Sequence, residues 1–203
     1  MLVDDRIAHV LLAAAAILVV AGELLASYVG QTRGGRRVFG RNRDGAVQQD
    51  RGTKLVVALS AYLAIGAAIV IAKSPGLRGG ADTWWTFGLG LAIALAGAGL
   101  RDWSIVSLGR YFRREVTIEP GQTIVRRGPY RVLRHPSYTG LAVMIAGFGL
   151  AIGSWLGAAA ALVIVVAGLL PRIRVEEAAL SQTFGADYTA YASSTARLLP
   201  HVW

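Results

Sequence analysis

Apolar residues fall along this chain in long, nearly unbroken runs separated by short charged segments. A helix that crosses a bilayer needs roughly 20 consecutive apolar residues, because each residue rises ~1.5 Å through a hydrocarbon core of ~30 Å. The runs at about 7–29, 55–72 and 84–100 meet that requirement, the third opening on Trp84 and Trp85, placed as interfacial anchors. The last apolar region, about 138–170, is too long for one crossing. Halved, it gives arms of about 15 residues, or ~22 Å. Gly149, Gly153, Ser154 and Gly157 cluster at its middle. The pattern predicts a helical hairpin turning near 152–155, with short or tilted arms. The alternative is a single long helix with a loose end. The glycines also suit a close-packing helix face.

Two features of the polar segments add local detail. TIEPGQTIV, 117–125, flanks the turn pair Pro120-Gly121 with β-branched residues and predicts a short β-hairpin. After Pro171, the tail PRIRVEEAALSQTFGADYTAYASS is mostly helical in propensity, with Gly185 as an interruption. It is expected to leave the membrane and lie over one face as an amphipathic helix. The fold class is thus an all-α integral membrane protein of about five transmembrane helices, ending in a hairpin and a tail. It divides into residues 1–100, three helices with the basic loop 30–54, and residues 101–203, where the loop, hairpin and tail form the functional region.

Composition agrees. The chain has 203 residues, 54% hydrophobic and only 16% charged, too apolar for an ordinary soluble domain. The absence of cysteine excludes disulfides, thiolate catalysis and cysteine–metal sites. The first apolar run is too long for a signal-peptide core and lacks a cationic start, so it is read as a retained helix. The net charge of +9 invites a nucleic-acid reading, but the cations sit between apolar runs, where membrane topology explains them better. Segment 30–54 holds seven of them, segment 101–137 holds eight arginines, and the tail adds Arg172, Arg174 and Arg197. Only Arg6, Lys73 and Arg78 remain for the other side of a five-helix chain. The positive-inside rule then places the basic segments and the C-terminus in the cytoplasm and the N-terminus outside, in an inner or plasma membrane.

That topology concentrates chemistry at one place. A hairpin returns the chain to the side it left, so Arg134, His135 and Tyr138 before the fourth helix meet Arg172, Arg174, Glu176 and Glu177 after the fifth. Each has an ordinary reading alone: a positive-inside arginine, a histidine before a proline suited to the first helical position, a belt tyrosine, an i,i+4 surface pair of Arg172 with Glu176. Glu177 lies about 140° around the helix from Arg172 and needs a different partner. Glu23 lies inside the first helix, where a carboxylate is costly, and is expected to snorkel or to pair with a loop arginine, a contribution to the site being the lesser alternative.

LGRYF (108–112), Val116, PGQTIV (120–125), GPYRVLRHPSYTG (128–140) and EEAAL…FGADYTAY (176–191), in that order, resemble the isoprenylcysteine carboxyl methyltransferase family; DRGT (50–53) is similar to its bacterial members. The resemblance covers about 100–203 well and the first two helices only in general character. It implies S-adenosylmethionine as methyl donor. It implies a cofactor pocket formed by Tyr130, Leu133, Arg134, His135 and Tyr138, with Glu177 contacting the cofactor and Arg172 orienting an acceptor carboxylate. The acceptor implied is a prenylated or lipid-like molecule drawn from the membrane. No glycine-rich dinucleotide fingerprint follows a strand, so a soluble Rossmann-type methyltransferase domain is not expected. Amine or phospholipid N-methyltransferases and NADPH-dependent sterol reductases resemble the same C-terminal half, and a non-enzymatic membrane scaffold is the remaining alternative.

Overall fold

The computed structural model describes residues 5–33, 47–48, 52–74, 76–77, 83–112, 117–118 and 122–200. Most of the basic loop 30–54, Val116 and the Pro120-Gly121 turn lie outside them. Among the described residues six α-helices form: α1 Arg6–Arg33, α2 Thr53–Lys73, α3 Trp84–Leu108, α4 Pro136–Ala151, α5 Trp155–Phe184 and α6 Ala186–Ser193. Four of them, α1, α2, α3 and α5, are long and apolar enough to cross a membrane, and α4 is a shorter apolar helix. The all-helical membrane class expected from the apolar runs is therefore observed.

The hairpin stands where the glycines put it. α4 ends at Ala151 and α5 starts at Trp155. Gly153 adopts φ +99°, a left-handed conformation that side chains rarely tolerate. Ser154 then caps α5, its hydroxyl accepting from the Gly157 N–H at 2.9 Å. Pro136 occupies the first turn of α4, where a missing N–H costs nothing.

Small residues set the helix packing. Gly90, Ala94 and Gly97 of α3 face Gly140, Gly147 and Ala151 of α4. A Cβ added at Gly97 would strike the backbone N of Met144, and one at Gly147 the backbone N of Ala94. With little hydrophobic drive between helices in lipid, this backbone-to-backbone approach supplies the dispersion contact that holds them. On the other side, Gly157 and Gly168 of α5 lie against Ala68 and Ser60 of α2. Between these seams Ile145, Ala161, Val165, Leu169 and Ile173 form the core.

Three expectations need correction. α3 does not stop near residue 100 but runs to Leu108, because Arg101 finds partners within the helix packing and so need not leave the bundle. α5 does not end at Pro171; one helix continues to Phe184. Proline removes a single N–H and crowds the preceding turn, while buried Leu169, Arg172 and Ile173 on either side keep the helix packed. Third, Thr117–Ile118 pairs antiparallel with Val47–Gln48 and not with 124–125, so the hydrogen bonds expected from a local hairpin go to a distant loop. Residues 122–125 have no strand and line a cavity instead. Gly185, at φ +52°, separates α5 from α6 as its position suggested.

Candidate active site

A cavity of about 530 Å³ opens between the ends of α1, α2, α3 and the α4–α5 hairpin. One side is apolar: Val57, Ala58 and Ala61 of α2, Leu141 of α4, and Ala179, Leu180 and Phe184 of α5. The other is polar, and Arg134, His135 and Tyr138 meet Arg172 and Glu176 there. The hairpin does bring the two charged clusters together.

Tyr138 is the centre of the first network. Its hydroxyl donates to Glu176 Oε2 at 2.7 Å and accepts from Arg172 Nε at 3.0 Å. The Arg172–Glu176 relation expected at i,i+4 therefore runs through a tyrosine. Arg172 is buried and its Nη1 donates to Thr53 Oγ1 at 3.2 Å, which ties α5 to the start of α2. A guanidinium held on two sides by fixed partners keeps one orientation, which is what a carboxylate fork requires. The His135 ring stacks on Tyr138 with centroids 5.5 Å apart and planes 11° from parallel.

Glu177 is the centre of the second. Arg197 Nε donates to its Oε1 and Oε2 at 3.1 and 3.0 Å, and Arg197 Nη2 lies 2.9 Å from Oε2. His135 Nε2 lies 3.3 Å from Oε1. Arg134 Nε is 3.1 Å from the same oxygen, in ion-pair range but with its N–H misaligned for a hydrogen bond. Glu177 thus stands behind Arg134 and His135; neither it nor Leu133 is among the cavity-lining residues.

The tail locks this arrangement. Leu133 bridges in parallel to Ala196. The Arg134 N–H donates to the Ala196 carbonyl at 2.7 Å and the His135 N–H to the Arg197 carbonyl at 3.1 Å. Thr139 Oγ1 reaches the Leu198 carbonyl at 2.8 Å, and Arg134 Nη1 reaches the carbonyls of Ala192 and Thr195. Backbone groups before a proline helix have few local partners; here the returning tail supplies them. From α6, buried Tyr191 donates to the Tyr130 carbonyl at 2.8 Å, and burial pushes its phenol up to about 12. Burial likewise raises Tyr130 and Tyr188, the latter helped by the Glu177 charge. All three are protonated donors at neutral pH.

Sequence reasoning missed Arg101, Thr53, Arg197 and Tyr188. Glu23 does pair with an arginine, but with Arg101 of α3 at 2.9 Å and not with a loop residue. Arg197 offered no local signal, since its role depends on the chain doubling back. Arg101 did carry one: its charge closes an apolar run within reach of a carboxylate in another helix.

Residues 89–182 match the model of the isoprenylcysteine carboxyl methyltransferase (ICMT) family. Protein-S-isoprenylcysteine O-methyltransferase A of Arabidopsis thaliana is 35% identical over 130 residues, covering 63% of this chain and 64% of the relative, so the chain spans less than two thirds of that protein. YpbQ of Bacillus subtilis (strain 168), an uncharacterized protein, is 34% identical over 58 residues, 28% of this chain and 33% of YpbQ. A solved structure of the eukaryotic intramembrane Ras methyltransferase ICMT superposes with a TM-score of 0.63 at 24% identity, over 89% of this chain and 61% of that one, and shares the fold. The ordered motifs, the family model and the plant relatives thus show one similarity, to the isoprenylcysteine carboxyl methyltransferase family, which the family model carries over residues 89–182.

Proposed function

We propose that this chain is an integral membrane methyltransferase that transfers a methyl group from S-adenosylmethionine to the carboxylate of an isoprenylcysteine-like or other lipid-like acceptor. The observation that carries the reading is one cavity whose lining combines a rigidly held guanidinium, Arg172, with apolar residues of α2, α4 and α5. The relatives named for isoprenylcysteine O-methylation support it. The abundance of arginine in the segments that flank the cavity supports a cytoplasmic location for this end, with the N-terminus outside. Residues 101–203 form the catalytic region and 1–100 its membrane scaffold.

The residues suit this donor. Tyr188 Oη is buried without a hydrogen-bond partner among the described residues, and its side chain lines the cavity. A buried donor of this kind calls for an acceptor, and the ribose oxygens, adenine nitrogens and amino-acid carboxylate of S-adenosylmethionine provide several. Tyr130, Arg134, His135 and Tyr138 would hold it, and Glu177 fixes Arg134 and His135 from behind. When bound, the donor supplies an electrophilic methyl group on a sulfonium sulfur.

Carboxylate methylation needs no general base, since the acceptor is ionised at neutral pH. Transfer of that methyl group to the carboxylate oxygen would leave a neutral ester and a neutral thioether. Arg172 orients the acceptor carboxylate; Thr53 and Tyr138 keep Arg172 from turning. The apolar wall receives the lipid tail and excludes water, and near-attack placement lowers the barrier by several kcal/mol. Glu177, engaged by two arginines, makes a poor base, which disfavours amine methylation through it.

Titration of the purified chain with S-adenosylhomocysteine and with NADPH tests the reading. Saturable binding of the first, followed by transfer of labelled methyl to an S-prenylcysteine as a base-labile ester, is expected. Base-stable product would move the acceptor to an amine, and NADPH binding with no response to S-adenosylhomocysteine would overturn the methyltransferase reading. Arg172→Ala should keep S-adenosylhomocysteine affinity and lower turnover by about 10²-fold, the scale of a misplaced substrate. Loss of both would assign Arg172 a structural role.

A further inference from the structure

The cavity lining holds a third guanidinium besides Arg134 and Arg172. Arg101 stands near the end of α3, its Nη2 donating to Glu23 Oε1 at 2.9 Å and its Nη1 to Ser137 Oγ at 2.8 Å and the Ser137 carbonyl at 3.3 Å. Its Nε is buried and has no partner among the described residues. Arg101 and Glu23 both line the cavity, with side chains 16% and 24% exposed.

A guanidinium has five donors in a rigid plane. Here the two ends of the fork are pinned by α1 and α4, so the group cannot rotate to satisfy Nε. A buried N–H left unmet costs about 1–3 kcal/mol, and this one is recovered when an acceptor enters the cavity. Chemistry says what kind: a guanidinium N–H makes its strongest hydrogen bonds to an ionised acceptor, and a carboxylate matches the planar fork.

We propose that Arg101 is a second carboxylate-binding residue of the cavity, aimed by Glu23 and Ser137. This rests on the methyltransferase reading, because both of that reaction's ligands bring a carboxylate: the amino-acid end of the methyl donor and the acceptor itself. Each would meet one of two guanidiniums. Glu23 then has a reason to lie inside a lipid-facing helix, where an unpaired carboxylate is expensive. It fixes the arginine without occupying its open edge.

The test compares the full-length wild-type chain with Glu23→Gln and with Glu23→Gln/Arg101→Gln, which replaces the ion pair by two amides. Three ligands are measured: S-adenosylhomocysteine, 5′-methylthioadenosine, which lacks the amino-acid end, and an N-acetyl-S-prenylcysteine acceptor. The double variant should lose at least about tenfold in affinity for one carboxylate ligand, the worth of one charge-assisted hydrogen bond. If the donor is the source, S-adenosylhomocysteine weakens and methylthioadenosine does not; if the acceptor is, only the prenylcysteine weakens. Glu23→Gln alone should tighten that ligand severalfold, because the amide oxygen still accepts from Nη2 while the competing negative charge is gone. Opposite signs for the two variants are not what a merely structural brace produces. Should the double variant not fold, Arg101→Lys, which keeps the cation but has no Nε, should show the same tenfold loss. Unchanged affinities in a folded variant, or equal losses in both variants, would overturn the proposal alone. A wild-type chain that binds none of the three overturns the functional reading and the proposal with it.

Discussion

α1 and α4 solve the problem of residing in a membrane in opposite ways. α1 is 28 residues long, yet among its described side chains only Ala8, Ala15 and Ala26 are buried; Ile17, Leu18, Leu24 and Leu25 are each more than half exposed. It packs on α3 and on the 3₁₀ turn Gly109–Tyr111, and Glu23 fastens it to Arg101. α4 is 16 residues long and ten of them are buried, Gly140 and Gly147 among them. A long apolar helix can rely on lipid as its solvent. A short one cannot reach across and is held by its neighbours. The polar mouth is built on the helix that is held, which is where side chains can be placed to the tolerance that chemistry needs.

The widest gap between the two regimes should appear on α3, which touches both. Gly97→Leu drives a side chain into the α4 backbone at Met144, whereas Gly99→Leu points where nothing lies within 4 Å. Helices cannot part in response without losing their seam, so Gly97→Leu should abolish the folded, ligand-binding protein. Gly99→Leu should leave melting temperature and S-adenosylhomocysteine affinity near wild type. Size-exclusion profiles and thermal melts in nanodiscs check both, and equal tolerance of the two would mean that α4 is not held by α3.

A middle-sized effect should come from the strap that fixes the start of α4. Arg197→Gln removes the double contact to Glu177. A buried charge pair broken on one side can cost 3–5 kcal/mol, but the Arg197 side chain is 36% exposed and water screens part of the loss. About 1–2 kcal/mol is expected, read as a roughly tenfold weaker S-adenosylhomocysteine affinity with most turnover at saturation retained. A fall in turnover at saturating donor, with affinity unchanged, would show that the strap sets the acceptor side instead.

The sequence was informative to the extent that contacts are local. The long helices, the 152–155 turn, the Pro136 start of α4 and the Gly185 break are all written in neighbouring residues. The convergence of RHPSY on EEAAL required one further step, that a hairpin returns to its origin, and topology supplied it. What was missed is non-local. Thr195 to Leu198 read as an undistinguished tail, yet their backbone completes the hydrogen bonds of 132–139. Pro171 read as a terminator because local rules cannot see the packing that carries a helix through it. The α3–α4 glycine seam was invisible for the same reason: glycines at the right spacing lie on several helices, and only the fold says which ones face each other. Glu176 and Glu177 show the limit most finely. Their angular separation correctly gave them different partners, but not that Tyr138 would stand between Arg172 and Glu176.

The smallest effect should be found on the face of α1 that only lipid touches. Leu25 is 62% exposed, two positions from Glu23 and thus about 200° around the helix. Leu25→Ala removes three carbons from a surface whose partner is hydrocarbon in the folded protein and would be hydrocarbon again if α1 separated from α3 within the bilayer. The transfer free energy that makes a buried leucine worth several kcal/mol in water has no counterpart in that comparison. A change in melting temperature within error, and an unchanged S-adenosylhomocysteine affinity, are expected in nanodiscs. A loss above about 1 kcal/mol, beyond the usual range for substitutions away from packed sites, would mean that this face is covered in the membrane, by a second copy or another helix. The contrast with α4 would then no longer be one of lipid against protein.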